Sequence, residues 1–149
     1  MDRAQLILKL NWFYSLELSQ VDLYQAQSKT FKNSYYGLSF ERIAYVEQQH
    51  ADNLGAKIKE LGGQPSELGD LISPIVGSVG GKLISLAGLG NTLKANILLE
   101  TKAMQDYRDL IYTVKQMEQR DDELLKILES NFIDEDLHTA WFSVIVNRL

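Results

Sequence analysis

Two short stretches decide the fold of this chain: Glu47-Gln-Gln-His50 and Glu135-Asp-Leu-His138. Both histidines of the sequence therefore stand three residues after a glutamate. On a helix, this spacing places a carboxylate and an imidazole on one face, one turn apart. Two such pairs can offer two nitrogens and several oxygens to metal ions. The pattern predicts helices that carry a metal site.

Four segments have the 3-4 spacing of apolar residues that is typical of a helix buried along one face. A glutamate interrupts each apolar stripe near its middle and would point into the core, where an uncompensated carboxylate costs several kcal/mol. Two divalent cations would balance the four charges. A network of Glu–His ion pairs is the alternative, but two imidazoles cannot balance four carboxylates. The predicted metal ligands are Glu17, Glu47, His50, Glu100, Glu135 and His138.

Start and stop signals bound the predicted helices. Ser39 is the expected N-cap of the second helix, and Gly62-Gly-Gln-Pro65 is expected to end it. Asp121-Asp122 is the expected start of the fourth helix. Turns are expected near Lys32 and Glu118, which lie midway between the core glutamates of each helix pair.

The intervals between the core glutamates also predict the topology. In an antiparallel hairpin, residues equidistant from the turn lie at the same height, which suits helices 1 and 2 and helices 3 and 4. The longer interval from Glu47 to Glu100 suits a crossover along the bundle, since about 30 Å takes roughly 9 extended or 20 helical residues. We predict an all-α, antiparallel four-helix bundle in up-down-down-up order. It forms a single domain over residues 1–149, with one long crossover between helices 2 and 3.

The composition limits the class of protein. A chain of 149 residues with 45% hydrophobic and 23% charged residues fits one soluble globular domain. The net charge of −5 and the lack of a basic cluster argue against binding to nucleic acid. The absence of cysteine excludes disulfides, thiolate chemistry and iron–sulfur centres. The start of the chain is charged and then amphipathic, unlike a signal peptide, so a cytoplasmic protein is expected.

A Glu from each of two helices and a Glu-x-x-His motif from each of the other two form the ligand set of ferritin-like di-iron and di-manganese proteins. The chain has these elements in order and resembles the ferritin-like superfamily over nearly its whole length. Leu10–Leu18 with Tyr24, Glu47–Asp52 and Asp134–Trp141 resemble bacterioferritin, which implies a ferroxidase centre. Gln48 stands where that family has its haem-binding methionine, so no haem is expected. The chain ends inside the fourth helix, so a storage shell is not expected.

The chain is also similar to the demethoxyubiquinone hydroxylase family, in ligand order and in a Gly-rich apolar crossover like residues 71–90. This resemblance implies a di-iron enzyme that uses O₂ to hydroxylate a quinone-like or lipophilic substrate. Rubrerythrin is less similar, because its third helix usually has a second glutamate where this chain has Ala103. A homodimer is expected by resemblance.

The predicted function is a non-haem di-iron oxidoreductase that reacts with O₂ or peroxide, with manganese as the alternative metal. Oxygen-rich ligation with imidazole suits Fe or Mn, and the missing thiolates argue against a structural zinc site. A ferroxidase or peroxidase without a storage cage and a protein with an inert metal site are the competing functions. An electron donor protein is implied if turnover is catalytic. Glu17 with His50 is expected to hold one ion and Glu100 with His138 the other, bridged by Glu47 and Glu135.

Five more polar residues lie on the same stripes, one or two turns from an expected ligand: Gln20, Tyr24, Asn96, Tyr107 and Asn131. A metal-bound histidine usually donates its second N–H to a polar partner, and Asn96 is the first candidate. The amides have an alternative as polar residues that meet water at a bundle end. The tyrosines can bond to ligand partners, relay an electron, or fill the core with a satisfied hydroxyl.

Residues 71–90 carry a single charge, Lys82, over a length that could cross a bilayer. Pro74 and several glycines argue against a spanning helix. The segment is expected to be an apolar crossover that packs on the bundle. The alternatives are a surface for peripheral membrane contact, for a lipophilic substrate or for a second subunit.

Overall fold

A computed structural model describes residues 1–69, 71, 72 and 88–149 of the chain. These residues form four helices and no strand, which confirms the all-α prediction for this part of the chain. The helices are α1 (Arg3–Thr30), α2 (Tyr35–Glu60), α3 (Leu89–Lys115) and α4 (Asp122–Val146).

The chain divides into two compact units, one containing α1 and α2 and the other α3 and α4. The single domain over residues 1–149 stays a prediction. The greater part of the expected crossover, residues 73–87, lies outside the described residues. In the described ranges, no helix has both the length and the apolar character needed to cross a membrane.

Helices α1 and α2 form an antiparallel hairpin. A capping box begins α1, in which Gln5 N donates to Asp2 Oδ1 at 2.8 Å and Asp2 N donates to Gln5 Oε1 at 3.0 Å. Arg3 Nε donates to Leu61 O at 2.6 Å, which ties the start of α1 to the end of α2. Residues 31–34 connect the helices, so the turn predicted near Lys32 is confirmed.

The predicted start of α2 at Ser39 is wrong, because Ser34 caps the helix instead. Ser34 has extended backbone angles, and its Oγ accepts a hydrogen bond from Gly37 N at 3.1 Å. The glycine is needed because a Cβ at position 37 would lie 2.4 Å from the Phe31 carbonyl oxygen. Ser39 lies inside the helix, where its hydroxyl donates to Tyr35 O at 2.8 Å. Because Gly37 has no Cβ, it can lie against the Phe31 carbonyl, so the turn is short and α2 begins at Tyr35 rather than near Ser39.

The end of α2 follows the prediction from the paired glycines. Gly62 adopts φ 80°, a left-handed conformation that glycine adopts without strain. Gly63 N donates to Ile58 O and Gly62 N to Lys59 O, both at 2.9 Å, which is the Schellman arrangement. The expected stop of the second helix is therefore confirmed.

The chain after this cap runs back along α1, held by polar side chains of that helix. Asn11 Oδ1 accepts from Ser66 N at 2.7 Å. Ser15 Oγ donates to Ser66 O at 3.1 Å and accepts from Leu68 N at 2.8 Å. We call residues 64–68 the strap. Ser15, one of the two α1 residues that hold the strap, lies two residues before Glu17.

Helices α3 and α4 form the second antiparallel hairpin, with a turn over residues 116–121 as predicted near Glu118. Asp121 caps α4 as expected, with its side chain accepting from Leu124 N at 2.9 Å. Across the hairpin, Lys115 Nζ lies 2.7 Å from Glu129 Oε1.

Candidate metal centre

The first hairpin brings together three of the predicted ligands. Glu17 comes from α1, while Glu47 and His50 come from successive turns of α2. His50 Nδ1 lies 3.0 Å from Glu47 Oε2 and 3.6 Å from Glu17 Oε2. Both carboxylates are fully buried and the histidine is 2% exposed. We call this group the first half-site.

The second hairpin repeats the arrangement. Glu100 comes from α3, while Glu135 and His138 come from successive turns of α4. His138 Nδ1 lies 3.7 Å from Glu135 Oε2 and 3.8 Å from Glu100 Oε1. Both carboxylates are fully buried, and the histidine is 8% exposed. We call this group the second half-site.

The spacing of the donor atoms in each half-site suits a metal ion. Two ligand atoms at about 2.1 Å from one ion, at angles of about 90–110°, lie about 3.0–3.4 Å apart. One Nδ1–Oε separation, 3.0 Å in the first half-site, lies in this range, and the other three, at 3.6–3.8 Å, exceed it by a few tenths of an ångström. Within each half-site, one donor atom per residue can be chosen so that all lie within 4.8 Å of one another. Each buried Glu/His group could therefore hold a metal ion.

The charges of the two half-sites also favour a bound metal ion. Each contains two carboxylates and one imidazole, all buried. A protonated histidine would balance only one of the two negative charges, and an unbalanced buried carboxylate is costly. One divalent cation with a neutral imidazole balances the group. The donor set thus fits one divalent ion in each hairpin.

The orientation of the histidines leaves a second nitrogen for another contact. Both rings present Nδ1 to the carboxylates, so Nε2 is the atom that would donate to an outer polar group in a metal-bound state. Asn96, the expected partner, is 1% exposed and lies on α3 one turn before Glu100. Its contact with a histidine stays a prediction.

Two of the other expected polar residues meet each other. Asn131 Nδ2 donates to the Tyr107 hydroxyl at 3.1 Å, joining α4 to α3. Asn131 lies one turn before Glu135, and Tyr107 lies two turns after Glu100. Both are buried, so Asn131 is not a water-facing amide at a bundle end, and Tyr107 is a core aromatic with a satisfied hydroxyl. The hydrogen bond links the two helices of the second half-site.

The first hairpin contains the remaining expected polar residues. Tyr24 is fully buried and stacks on Phe40, with ring centroids 6.3 Å apart and an interplanar angle of 8°. Gln20 is also fully buried, one turn after Glu17 on α1. The stacking supports the interpretation of Tyr24 as a core aromatic. An electron-relay role for either tyrosine stays a prediction.

Five buried polar residues among those described were not predicted from the sequence: Asn11, Ser15, Gln27, Lys57 and Thr92. Asn11 and Ser15 hold the strap, and their i, i+4 spacing beside the apolar stripe was the available signal. Lys57 is 3% exposed, and its Nζ lies 2.8 Å from Glu60 Oε1. Its position on the buried stripe of α2, three residues after Leu54 and seven after His50, was the available signal, although lysine usually lies at the surface.

Comparison of the chain with known protein families and with curated proteins found no match to either. The resemblance to the ferritin-like superfamily therefore stays a prediction carried by the motifs. The geometry of the two half-sites is independent of that resemblance.

Proposed function

We propose that this chain is a di-iron carboxylate oxidoreductase of the ferritin-like type, with manganese as the alternative metal. The observation that carries the proposal is the repetition of one buried donor set, two glutamates and one histidine, in each hairpin. One divalent ion per half-site neutralises the carboxylates. The chain order of the motifs and the match between the half-sites support their union in one dinuclear centre.

Iron is proposed because of the donor chemistry. Carboxylate oxygens with imidazole nitrogen suit Fe and Mn, whereas a cysteine-free chain has no thiolate for a structural zinc or iron–sulfur site. When bound, a pair of such ions supplies two-electron reduction of O₂ or peroxide. In this proposal the histidines and the glutamates Glu17 and Glu100 each serve one ion. Glu47 and Glu135 would supply the carboxylates that the two ions share.

The chain itself would orient the metal ligands and exclude water from the site. Each histidine stands one turn from a glutamate of its own helix, so helical geometry orients the imidazole before any ion arrives. Tyr24 and Phe40 in the first hairpin and Phe142 in the second are fully buried and exclude water from the core.

The proposed use of the oxidising equivalents is hydroxylation of a quinone-like or lipophilic substrate, as the family resemblance implies. The chain has no cysteine-based redox centre, so repeated turnover would draw electrons from a separate donor protein. Ferroxidase or peroxidase activity without a cage is the second candidate. It rests on the motifs shared with bacterioferritin.

Anaerobic titration of the metal-free protein with Fe(II) tests the proposal. We expect saturation at two ions per chain, and Mössbauer spectra of the oxidised protein that show a spin-coupled pair. Saturation at two without coupling would support two half-sites and contradict a dinuclear centre. A stoichiometry of zero or one would contradict the ligand set.

Oxygen consumption by the iron-loaded protein then separates the candidate functions. A lipophilic quinone that accelerates O₂ uptake in the presence of a reductant supports a hydroxylase. Uptake that follows only added Fe(II), with no effect of the quinone, supports a ferroxidase. No reaction with O₂ or peroxide contradicts both and leaves an inert metal site.

A further inference from the structure

One hydroxyl of the second hairpin differs from other hydroxyls that lie inside helices. Those that donate to the backbone carbonyl four residues earlier include Ser19, Thr30, Ser39, Thr92 and Thr113. Thr139 of α4 makes no such bond, and its Oγ1 is buried without a hydrogen-bond partner among the described residues. A buried hydroxyl without a partner lowers stability, so the packing of the hairpin does not account for a threonine at this position.

The position of Thr139 on α4 places it beside the second half-site. Thr139 follows His138 directly and comes one turn after Glu135, 40° away around the helix axis at 100° per residue. Side chains of a helix lean towards its N-terminus, so that of Thr139 leans towards the turn that carries Glu135. The hydroxyl therefore belongs to the stretch of α4 that carries two of the expected metal ligands.

This side of α4 also faces α3. Phe132, seven residues before Thr139 and 20° from it around the axis, contacts α3, with Arg108 Cζ 5.6 Å from the centre of its ring. Seven residues further along α4 stands Thr139, and seven residues back along α3 stands Thr101. In an antiparallel hairpin these two residues lie at the same height, and Thr101 is adjacent to Glu100. Thr139 thus lies at the height of the ligand that α3 contributes.

The first half-site has no hydroxyl at the matching position. His138 is followed by Thr139, whereas His50 is followed by Ala51, which is fully buried. Solvent also reaches the second half-site more than the first, since His138 is 8% exposed and His50 is 2% exposed. The two half-sites are therefore alike in their ligands and differ in one hydrogen-bond donor.

A small molecule beside the metal ion is the partner that the Thr139 hydroxyl fits. Three protein ligands leave positions open on an iron or manganese ion. The ligand atoms that face the ion offer lone pairs, so they cannot donate a hydrogen bond to a small molecule there. We propose that Thr139 Oγ1 donates a hydrogen bond to the oxidant, O₂ or peroxide, at the second half-site, an inference that rests on the proposed function.

Thermal denaturation of the metal-free protein tests the premise without any metal chemistry. Thr139→Val replaces the hydroxyl by a methyl group of similar size. We expect the melting temperature to rise by about 2–4 °C, because a buried polar group without a partner is removed. The control is Thr113→Val, at a half-buried threonine of α3 whose hydroxyl donates to Asp109 O at 2.8 Å; it should not raise the melting temperature. A melting temperature that falls in Thr139→Val would show that the hydroxyl has a partner in the folded chain and would overturn the proposal.

Azide binding to the oxidised, iron-loaded protein tests the role of the hydroxyl. Azide is a small anion whose terminal nitrogens accept hydrogen bonds, as the oxygens of peroxide do. We expect Thr139→Val to bind as much iron as the wild type and to raise the azide dissociation constant about five- to tenfold. The absorbance of the azide-to-iron charge-transfer band gives this constant. Thr139→Ser, which keeps the hydroxyl, and the control Thr113→Val should both bind azide as the wild type does.

The iron stoichiometry separates a failure of this inference from a failure of the metal proposal. An unchanged azide dissociation constant in a Thr139→Val protein that binds two iron ions would overturn the role of Thr139 and leave the metal ligands as proposed. Loss of iron from Thr139→Val alone would show that the hydroxyl supports the ligands, and would also overturn its role towards the oxidant. A wild-type protein that binds no iron would contradict the proposed function, and this inference with it.

Discussion

His50 Nδ1 lies 3.6 Å from Glu17 Oε2 on the neighbouring helix, and His138 Nδ1 stands in nearly the same relation to Glu100 Oε1, at 3.8 Å. Each hairpin thus joins a glutamate of its first helix to the Glu-x-x-His motif of its second. Because the two groups are built alike within separate units, a substitution can remove a ligand from one half-site while the other keeps its own three ligands.

Removal of one imidazole should impair one half-site. We expect His50→Ala and, separately, His138→Ala to lower the Fe(II) bound at saturation below two ions per chain, because each loses its nitrogen donor. Equilibrium dialysis under anaerobic conditions gives the stoichiometry. Gln49→Ala, an exposed neighbour on α2, is the control and should bind as the wild type does. Undiminished binding by either histidine variant would exclude that histidine as a ligand.

Neutralising a buried carboxylate should stabilise the metal-free protein. Glu100 is fully buried, and Glu100→Gln keeps its shape while removing a desolvated charge. We expect the free energy of unfolding of the metal-free protein to rise by about 1–3 kcal/mol. The stabilisation by added Mn(II) should decrease, because an amide is a poorer ligand.

Urea denaturation with and without Mn(II) measures both effects. Glu118→Gln, in the exposed turn between α3 and α4, should change neither. A Glu100→Gln protein that is less stable without metal would indicate that this carboxylate serves a structural contact instead.

The hydrogen bond from Asn131 Nδ2 to the Tyr107 hydroxyl should contribute to the second hairpin. Tyr107→Phe removes the acceptor from a fully buried position and should lower the free energy of unfolding by about 1–2 kcal/mol. Thermal and urea denaturation measure this loss. Tyr112→Phe, at a residue 68% exposed on the same helix, should have almost no effect. Equal effects of the two variants would mean that the buried bond contributes nothing.

The strap should depend on Ser15. Ser15→Ala loses both strap contacts of the hydroxyl, to Ser66 O at 3.1 Å and from Leu68 N at 2.8 Å. We expect amide exchange at Leu68 to accelerate at least about tenfold, since a bond of about 1.4 kcal/mol is lost.

Hydrogen exchange read by NMR provides the measurement at single residues. Ser19→Ala is the control, because the Ser19 hydroxyl donates only within α1, to Ser15 O at 2.9 Å. It should leave the Leu68 amide protected. Unchanged exchange in Ser15→Ala would show that Asn11 alone holds the strap.

Local sequence signals were sufficient for most of the helical pattern. The 3-4 apolar spacing located all four helices of the described residues, and glycines at 62 and 63 and Asp121 marked helix ends correctly. The start of α2 was misplaced at Ser39. A serine can cap in either position, and only the contact of Gly37 with the Phe31 carbonyl decides between them.

The sequence by itself determined which residues each hairpin gathers into its half-site. A glutamate on an apolar stripe must be buried, and the i, i+3 motif must present its two side chains together, whatever the rest of the fold does. Equal distances from a turn then bring the glutamate of the first helix to the same height. These are consequences of helical periodicity, so they could be predicted from one chain.

Only the tertiary structure decided the contacts between residues whose pairing helical periodicity does not predict. The attachment of the strap to Asn11 and Ser15 and the bond from Asn131 to Tyr107 are of this kind. Each depends on side-chain direction and on the register of neighbouring helices. Many polar residues in a sequence could form such bonds, and packing selects the few that do.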